Sequence, residues 1–251
     1  MAATHNVLSI TKAVIGLLYR VNQVDETAPF LAHAGGGGVR LKMVLDHRGG
    51  MHDDDSFDYS AFRAAYESKM DMFEYARSHL ASSPTPGKFG YSNLAWQILT
   101  RRFHDLTGMH CDAALEKMIG AGGWTWECDA TGCPLGPHGI EMDTLVATKI
   151  ARLANATFTP DDFVSVTEAD FWPFEELPAP RYVCNGWFAV KSPVFLMYAA
   201  GFQSQYIAVT DHEFVIQLRG QSDADFDLEK PPPDAERLLI KSILQDKALR
   251  L

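Results

Sequence analysis

The sequence predicts an α+β fold in which helices come first and an antiparallel sheet follows. Helical patterns dominate the first two thirds of the chain, whereas the last third holds short segments rich in Val, Ile, Phe and Tyr, which are typical of strands. Helices and strands are therefore segregated and do not alternate as in parallel βαβ units. A length of 251 residues with 47% hydrophobic residues is enough for a large buried core.

The predicted helices have apolar residues at helical spacing. The first, over residues 9–20, is apolar around its circumference, which indicates a buried helix. Glycines and prolines predict turns at 35–38 and 82–87, and the acidic segment 53–58 predicts a surface loop. The remaining helices are predicted over 39–46, 60–80, 93–106 (ending before Gly108), 141–156 and, after three prolines, 234–249.

The strand patterns all lie between residues 182 and 219. Asp211 and His212 separate the last two patterns and predict a short hairpin connection. We therefore expect an antiparallel arrangement. The segments are 182–190, 194–200, 205–210 and 213–219.

Composition excludes several classes of function. The formal net charge of −10 argues against a nucleic-acid or anionic-membrane partner. The four cysteines form no C-x-x-C pair, which argues against a zinc ribbon or a redox site. The apolar run over 13–19 is too short to span a membrane and no signal-peptide pattern is present, so we expect a cytoplasmic protein.

His47, His52 and Asp53 to Asp55 match no metal-ligand spacing. We interpret them as a solvated loop and predict no metal and no cofactor.

Ser9 and Lys12 form a Ser-x-x-Lys motif at the start of the first predicted helix. Residues three apart lie on one helical face, so the hydroxyl and the amine can touch. Lys12 is the only charged residue between Asn6 and Tyr19, and burial would favour its neutral amine, which can deprotonate Ser9. The helix N-terminus would add N–H donors for an oxyanion. The alternative interpretation is an ordinary helix start whose lysine extends to solvent.

Tyr91, Ser92 and Asn93 form the only Tyr-x-Asn in the chain, directly before a predicted helix. A tyrosine that faces Ser9 can relay a proton to a leaving group, and Asn93 can bond Lys12 or a substrate carbonyl. The alternative interpretation is a helix start in which Ser92 or Asn93 is the N-cap and Tyr91 belongs to a hydrophobic staple.

These two motifs, in this order, occur in a chain that resembles the serine β-lactamase and penicillin-binding-protein superfamily nearly end to end. The resemblance is to its branch of class C β-lactamases, esterases and 6-aminohexanoate-dimer hydrolases. Residues 8–18 resemble the family's nucleophile helix, 39–51 its His-x-Ser-Gly turn with Gly49 in place of serine, 87–108 its Tyr-x-Asn block, 129–153 its Asp-x-x-Gly segment and 199–220 its late strand pair.

The resemblance implies a catalytic set. Ser9 would be the nucleophile that forms an acyl-enzyme, Lys12 its activator and Tyr91 the general acid and base. It also implies a set of substrate-binding residues: Asn93, which would position substrate or the lysine, and Ala200, Gly201 and Phe202, one of whose strand amides would complete an oxyanion hole with the Ser9 N–H.

The chain departs from the family pattern in two places. The Lys-Thr-Gly-type motif falls on or near Tyr198, Ala199 and Ala200, which carry neither a cation nor a hydroxyl in the usual places. Since those groups meet the carboxylate of β-lactams, neutral esters or amides are the expected substrates. The family also places a helix and two strands before its nucleophile helix, whereas eight residues precede Ser9. We therefore expect an N-terminally truncated fold without them, with an apolar sheet edge at 213–219 that favours self-association.

We therefore predict one β-lactamase/transpeptidase-like domain over 1–251: an antiparallel sheet flanked by helices (1–20 and 180–251) plus a helical and loop part (21–179). The predicted function is that of a serine hydrolase acting on a small-molecule ester or amide. The alternative is a catalytically inactive, truncated module of the same fold with a binding or assembly role.

Overall fold

The structure is a computed structural model that describes residues 3–31, 38–51, 59–80, 86–166, 181–191, 194–201, 205–210 and 213–218. Within these ranges the chain forms seven α-helices, a small sheet and a large antiparallel sheet. The helices are α1 (Ile10–Val21), α2 (Leu41–Leu45), α3 (Tyr59–Glu67), α4 (Met72–His79), α5 (Asn93–Thr107), α6 (Cys111–Ile119) and α7 (Thr144–Thr157). The strands are β1 (His5–Asn6), β2 (Trp124–Trp126), β3 (Ile140–Met142), β4 (Val164–Val166), β5 (Arg181–Cys184), β6 (Trp187–Val190), β7 (Leu196–Gly201), β8 (Gln205–Thr210) and β9 (Phe214–Gln217).

Helix α1 lies at the centre of the molecule. Every residue from Ile10 to Tyr19 is buried, as its apolar circumference predicts. The helix contacts α5, α6 and α7 as well as strands β6, β7 and β8, so it joins the helical part to the large sheet. The residues at its N-terminus are therefore held between the two parts of the fold.

The large sheet has the strand order β4-β5-β6-β7-β8-β9 within the described residues, and each strand is antiparallel to the next. The predicted antiparallel sheet of the last third is thus confirmed, and β8 has the predicted bounds. The prediction of one strand over 182–190 is wrong. Asn185 and Gly186 both have positive φ, of 47° and 77°, and form the two-residue turn between β5 and β6, the geometry that Asn-Gly favours.

The middle of the chain differs from the sequence prediction in three places. The helical pattern over 60–80 is two helices, because Lys69 adopts a left-handed conformation (φ 59°) and Asp71 accepts hydrogen bonds from the first amides of α4. Helix α6 and the small sheet, of order β1-β3-β2, are absent from the prediction. Glu141 belongs to β3, and α7 begins later because Asp143 caps it through the amide of Val146.

Several predicted features lie outside the described residues, namely 35–37, 53–58, 82–85, Asp211 with His212, and the closing helix over 234–249. In the described ranges, no helix has both the length and the apolar character that crossing a bilayer requires.

Candidate active site

Ser9 occupies the N-cap position of α1, yet its side chain does not cap the helix. The Ser9 hydroxyl oxygen instead accepts hydrogen bonds from Lys12 Nζ at 3.0 Å and from Tyr91 Oη at 2.9 Å. Ser92, by contrast, caps α5 by accepting from the amide of Ala95 at 3.0 Å. The structure therefore brings together the three residues predicted to be catalytic, and it distinguishes Ser9 from the capping serine, Ser92.

Lys12 is a buried cation, with 2% of its surface exposed. Its ammonium donates to the Ser9 hydroxyl and, at 2.9 Å, to the backbone carbonyl of Pro137, and it lies 5.0 Å from the centre of the Tyr91 ring. Within the described part of the chain, no carboxylate pairs with it. The interpretation of Lys12 as a lysine that extends to solvent is wrong, because the packing of α1 encloses the whole side chain.

The backbone before Ser9 is held in an unusual conformation. Leu8 has a φ of 50°, in the left-handed region that branched side chains rarely adopt. The Asn6 side-chain oxygen accepts from the Leu8 amide at 2.9 Å, and the Val7 amide donates to Ile140 at 2.9 Å. Among the described residues nothing accepts from the Ser9 amide, so this N–H at the positive end of α1 is available to a ligand.

The end of β7 lies against this same segment. A Cβ atom on Gly201 would be 2.3 Å from the carbonyl oxygen of Val7, so only glycine permits this approach of the two backbones. Ala200 is half-buried beside it. Phe202, the third predicted contributor to an oxyanion hole, lies outside the described residues.

Asn93 is the first residue of α5 and is half-buried. In the described ranges, the hydrogen bonds of the Lys12 ammonium go to Ser9 and Pro137, which leaves the substrate-binding role of Asn93 as the prediction to test.

Two buried histidines lie close enough to Lys12 for its charge to affect them. Burial, together with the positive charge of Lys12, lowers the pKa of both His47 and His138 to about 3. Both imidazoles are therefore neutral at physiological pH. The interpretation of His47 as part of a solvated loop is wrong, since it is 2% exposed and its ring packs among Phe89, Tyr91, Trp96 and Phe188.

Sequence reasoning also missed the carbonyl of Pro137. Gly136 brings this segment close, because a Cβ atom on it would be 2.1 Å from the carbonyl oxygen of Trp96 in α5. The signal that could have found it is the pair of glycines at 136 and 139, inside the segment that resembles the family. Every residue has a backbone carbonyl, however, so the residue type does not show which carbonyl accepts a hydrogen bond.

No protein-family model matches the chain, and no curated protein matches it. Solved structures do match. A protein from Bacillus anthracis designated a 6-aminohexanoate-dimer hydrolase has a TM-score of 0.70 at 12% identity, over 97% of this chain and 72% of that one. An octameric penicillin-binding-protein homologue from Pyrococcus abyssi has a TM-score of 0.66 at 15% identity, over 96% of this chain and 66% of that one. A D-stereospecific amidohydrolase from Streptomyces sp. has a TM-score of 0.63 at 14% identity, over 83% of this chain and 79% of that one.

At such low sequence identities, the structural matches establish the fold alone. The overall fold is shared with solved structures that carry β-lactamase, penicillin-binding-protein and dimer-hydrolase names. The chain has the fold of the serine β-lactamase and penicillin-binding-protein superfamily.

Proposed function

We propose that this protein is a serine hydrolase that acts through an acyl-enzyme at Ser9. One observation carries the proposal: the Ser9 hydroxyl, freed from capping α1, accepts hydrogen bonds from both Lys12 Nζ and Tyr91 Oη. A nucleophilic hydroxyl needs a base to take its proton, and a departing group needs an acid. Two titratable groups in direct contact with one hydroxyl meet both needs.

The reaction would proceed in two halves. In the first, the Lys12 ammonium would give up a proton to solvent, and the resulting amine would take the Ser9 proton while Oγ forms a bond to the substrate carbonyl carbon. The bond from that carbon to the leaving alcohol or amine then breaks, and Tyr91 supplies the proton that the leaving group needs. In the second half, water attacks the carbonyl carbon of the ester on Ser9 and passes its proton to the same pair. The bond from that carbon to Ser9 Oγ then breaks, the pair returns the proton to Oγ, and the acid is released. The tyrosine recovers its proton from the lysine between the halves.

The amide of Ser9, which has no acceptor among the described residues, supports the stabilisation of an oxyanion. It lies at the N-terminus of α1, where the helix dipole favours negative charge. A second donor from Ala200, Gly201 or Phe202 is part of the proposal, and the close approach of Gly201 to Val7 supports it. Two donors aimed at one oxygen are the usual means of stabilising a tetrahedral intermediate.

Neutral esters and amides are the substrates we propose. Phe89 and Tyr198 belong to one apolar cluster, and Tyr91, Phe188 and Ala200 pack against it. Positions 198–200 carry no cation, so a substrate carboxylate at these positions would lose its hydration without a charged partner from this strand. The names of two structural neighbours, a dimer hydrolase and an amidohydrolase, agree with cleavage of acyl bonds.

The first test is intact-mass spectrometry after exposure to a fluorophosphonate probe. We expect a single adduct on the protein as it stands and on Ser78→Ala, which changes an exposed serine, but none on Ser9→Ala. Protein not exposed to the probe would then be assayed with neutral esters and with a carboxylate-bearing cephalosporin, where we expect the esters to be preferred. A folded protein without an adduct would overturn the enzyme proposal and favour the alternative of a catalytically inactive binding module.

A further inference from the structure

His47 lies inside a stack of aromatic rings that ends at the proposed acid. Its imidazole is nearly parallel to the Tyr91 ring, with centroids 5.1 Å apart at 12°, and to the Phe188 ring, with centroids 5.8 Å apart at 9°. Phe188 in turn contacts Tyr198 of β7 at 5.8 Å. The stack thus connects two strands of the large sheet to the phenol that bonds Ser9.

Stability alone does not account for a histidine at this position. The His47 Nε2 atom is buried and has no hydrogen-bond partner among the described residues. An unsatisfied buried nitrogen costs folding free energy that a phenylalanine or leucine of similar volume would avoid. The imidazole also gains no charge, because burial and Lys12 keep its pKa at about 3.

The backbone ties His47 to the residues directly before Tyr91. The His47 carbonyl accepts from the Gly90 amide at 2.7 Å, and the Arg48 carbonyl accepts from the Gly87 amide at 2.8 Å. A Cβ atom on Gly90 would be 2.4 Å from the carbonyl oxygen of Met51, so the two segments are in close contact. The His47 turn and the Tyr91 loop therefore behave as one unit.

We propose that His47 is a positioning residue that holds the phenol of Tyr91 toward Ser9 through ring stacking, an inference that rests on the proposed hydrolase function. A tyrosine on a loop can rotate about its first side-chain torsion, and a small rotation moves its hydroxyl by more than a hydrogen bond tolerates. A flat, uncharged ring against one face limits that rotation. Because the ring is neutral, it also adds no second positive charge beside Lys12.

The test compares rates of labelling by the fluorophosphonate probe. We expect His47→Leu to slow labelling by about 10- to 100-fold, the loss typical of a misplaced catalytic group. His47→Phe, which keeps a flat ring, should restore most of the rate. His110→Leu is the matched control, since it breaks a stacked histidine pair on another element (His104 and His110, 4.2 Å apart) and should label as the unchanged protein does.

A double-mutant cycle separates positioning from general damage. If His47 acts through Tyr91, His47→Leu should cause no further loss in a Tyr91→Phe background. An equal loss in both backgrounds would overturn the inference, and so would failure of His47→Phe to restore the rate. Thermal unfolding of each variant shows that the comparison is made on folded protein.

A spectroscopic readout makes the test independent of activity. With 3-fluorotyrosine incorporated at position 91, the ¹⁹F shift reports the ring current of the stacked neighbour. We expect the shift to change in His47→Leu and to be largely kept in His47→Phe. If the folded protein takes up no fluorophosphonate adduct but its ¹⁹F shift changes in His47→Leu, the hydrolase proposal is overturned and the stacking is retained. If the ¹⁹F shift does not change in His47→Leu, the stacking itself is overturned.

Discussion

At the scale of single residues, the surroundings of Lys12 do not favour the stability of the folded protein. Its ammonium is buried with a hydroxyl, a carbonyl and a ring face as neighbours, and within the described residues no carboxylate compensates its charge. Desolvation of a cation is costly, and replacement of buried ionic groups by apolar ones is often neutral or stabilising. The sequence places this cost inside a helix that is buried from Ile10 to Tyr19, three positions after Ser9, whose side chain does not cap that helix.

The variant Lys12→Met tests this interpretation. We expect labelling of Ser9 to be lost, whereas the free energy of unfolding should stay unchanged or rise by about 1 kcal/mol, because the desolvated charge is removed. Urea unfolding and intact-mass labelling measure the two effects separately. Lys149→Met is the matched control, since Lys149 also donates to a backbone carbonyl, that of Ile119, but lies away from Ser9. A destabilised Lys12→Met would show that the lysine is structural.

At the scale of elements, the turn between β5 and β6 positions the site by packing onto α1. The Trp187 indole donates to the carbonyl of Ala13 in α1 at 3.0 Å, while the Gly186 amide donates to the carbonyl of Leu45 at the end of α2 at 2.8 Å. The side-chain amide of Asn185 donates to the backbone carbonyl of Gly16. A Cβ atom on Gly16 would lie 1.7 Å from the backbone carbonyl oxygen of Asn185, so the two backbones are in close contact. The hairpin is thus held against α1, the helix that begins at Ser9.

Gly186→Ala should show how tightly this packing constrains the site. The new Cβ would lie 2.8 Å from the Lys12 carbonyl and from the Trp96 ring, at a φ of +77°. We expect a loss of stability of about 2–4 kcal/mol, from left-handed strain and from overpacking together, and slower labelling of Ser9.

Gly132→Ala is the control for backbone strain alone. Gly132 has nearly the same φ, +79°, but among the described residues nothing lies within 4 Å of the place that a Cβ atom would take. We expect it to lose about 1 kcal/mol and to label normally. Equal losses in the two variants would mean that the contact with Lys12 contributes nothing.

At the scale of the whole molecule, two buried neutral histidines should make the fold sensitive to acid. The pKa of His47 is lowered to about 3 in the folded state, so between pH 3 and pH 6.5 the unfolded chain binds more protons than the folded one. Stability contributed by the neutral imidazole is therefore present above about pH 6.5 and is lost as the pH falls toward 3. His138 acts in the same direction.

His47→Phe should flatten this dependence. A histidine whose folded-state pKa is about 3 lowers the free energy of unfolding by about 2 kcal/mol at pH 5 relative to pH 7. The variant has no such group, so this decrease should be absent. Urea unfolding at pH 7 and pH 5 measures the difference. Burial raises the pKa of Asp46, which acts with the opposite sign, so each variant is compared with the unchanged protein. Phe89→Leu, a truncation in the same region, should lower the free energy of unfolding equally at both pH values. If His47→Phe also changed the free energy of unfolding equally at pH 7 and pH 5, the prediction would be contradicted.

Self-association stays a prediction at this scale. One structural neighbour is described as octameric, and β9 ends the large sheet within the described strands. We retain the β9 edge as the proposed route, to be checked by the mass of the protein in solution.

Local patterns were sufficient for the elements whose burial is set by their own periodicity. Helices α1 and α5 and strand β8 agree closely with prediction because apolar spacing, the Ser92 cap and Gly108 act within one or two turns. The break at Lys69 and the short strands of the small sheet were missed, since two or three residues carry too little pattern to signal a strand.

By itself the sequence determined the helix-then-sheet order, the burial of the first apolar helix and the proximity of Ser9 to Lys12, because all of these depend on residues a few positions apart. Only the tertiary structure decided that Tyr91 reaches Ser9 across 82 positions, that Pro137 accepts from Lys12 across 125, and that His47 is buried against the phenol. The physical reason is that long-range contacts are set by how helix α1, the hairpin turn and the glycine-rich segments pack together, and close packing of backbones leaves few local signs in the chain.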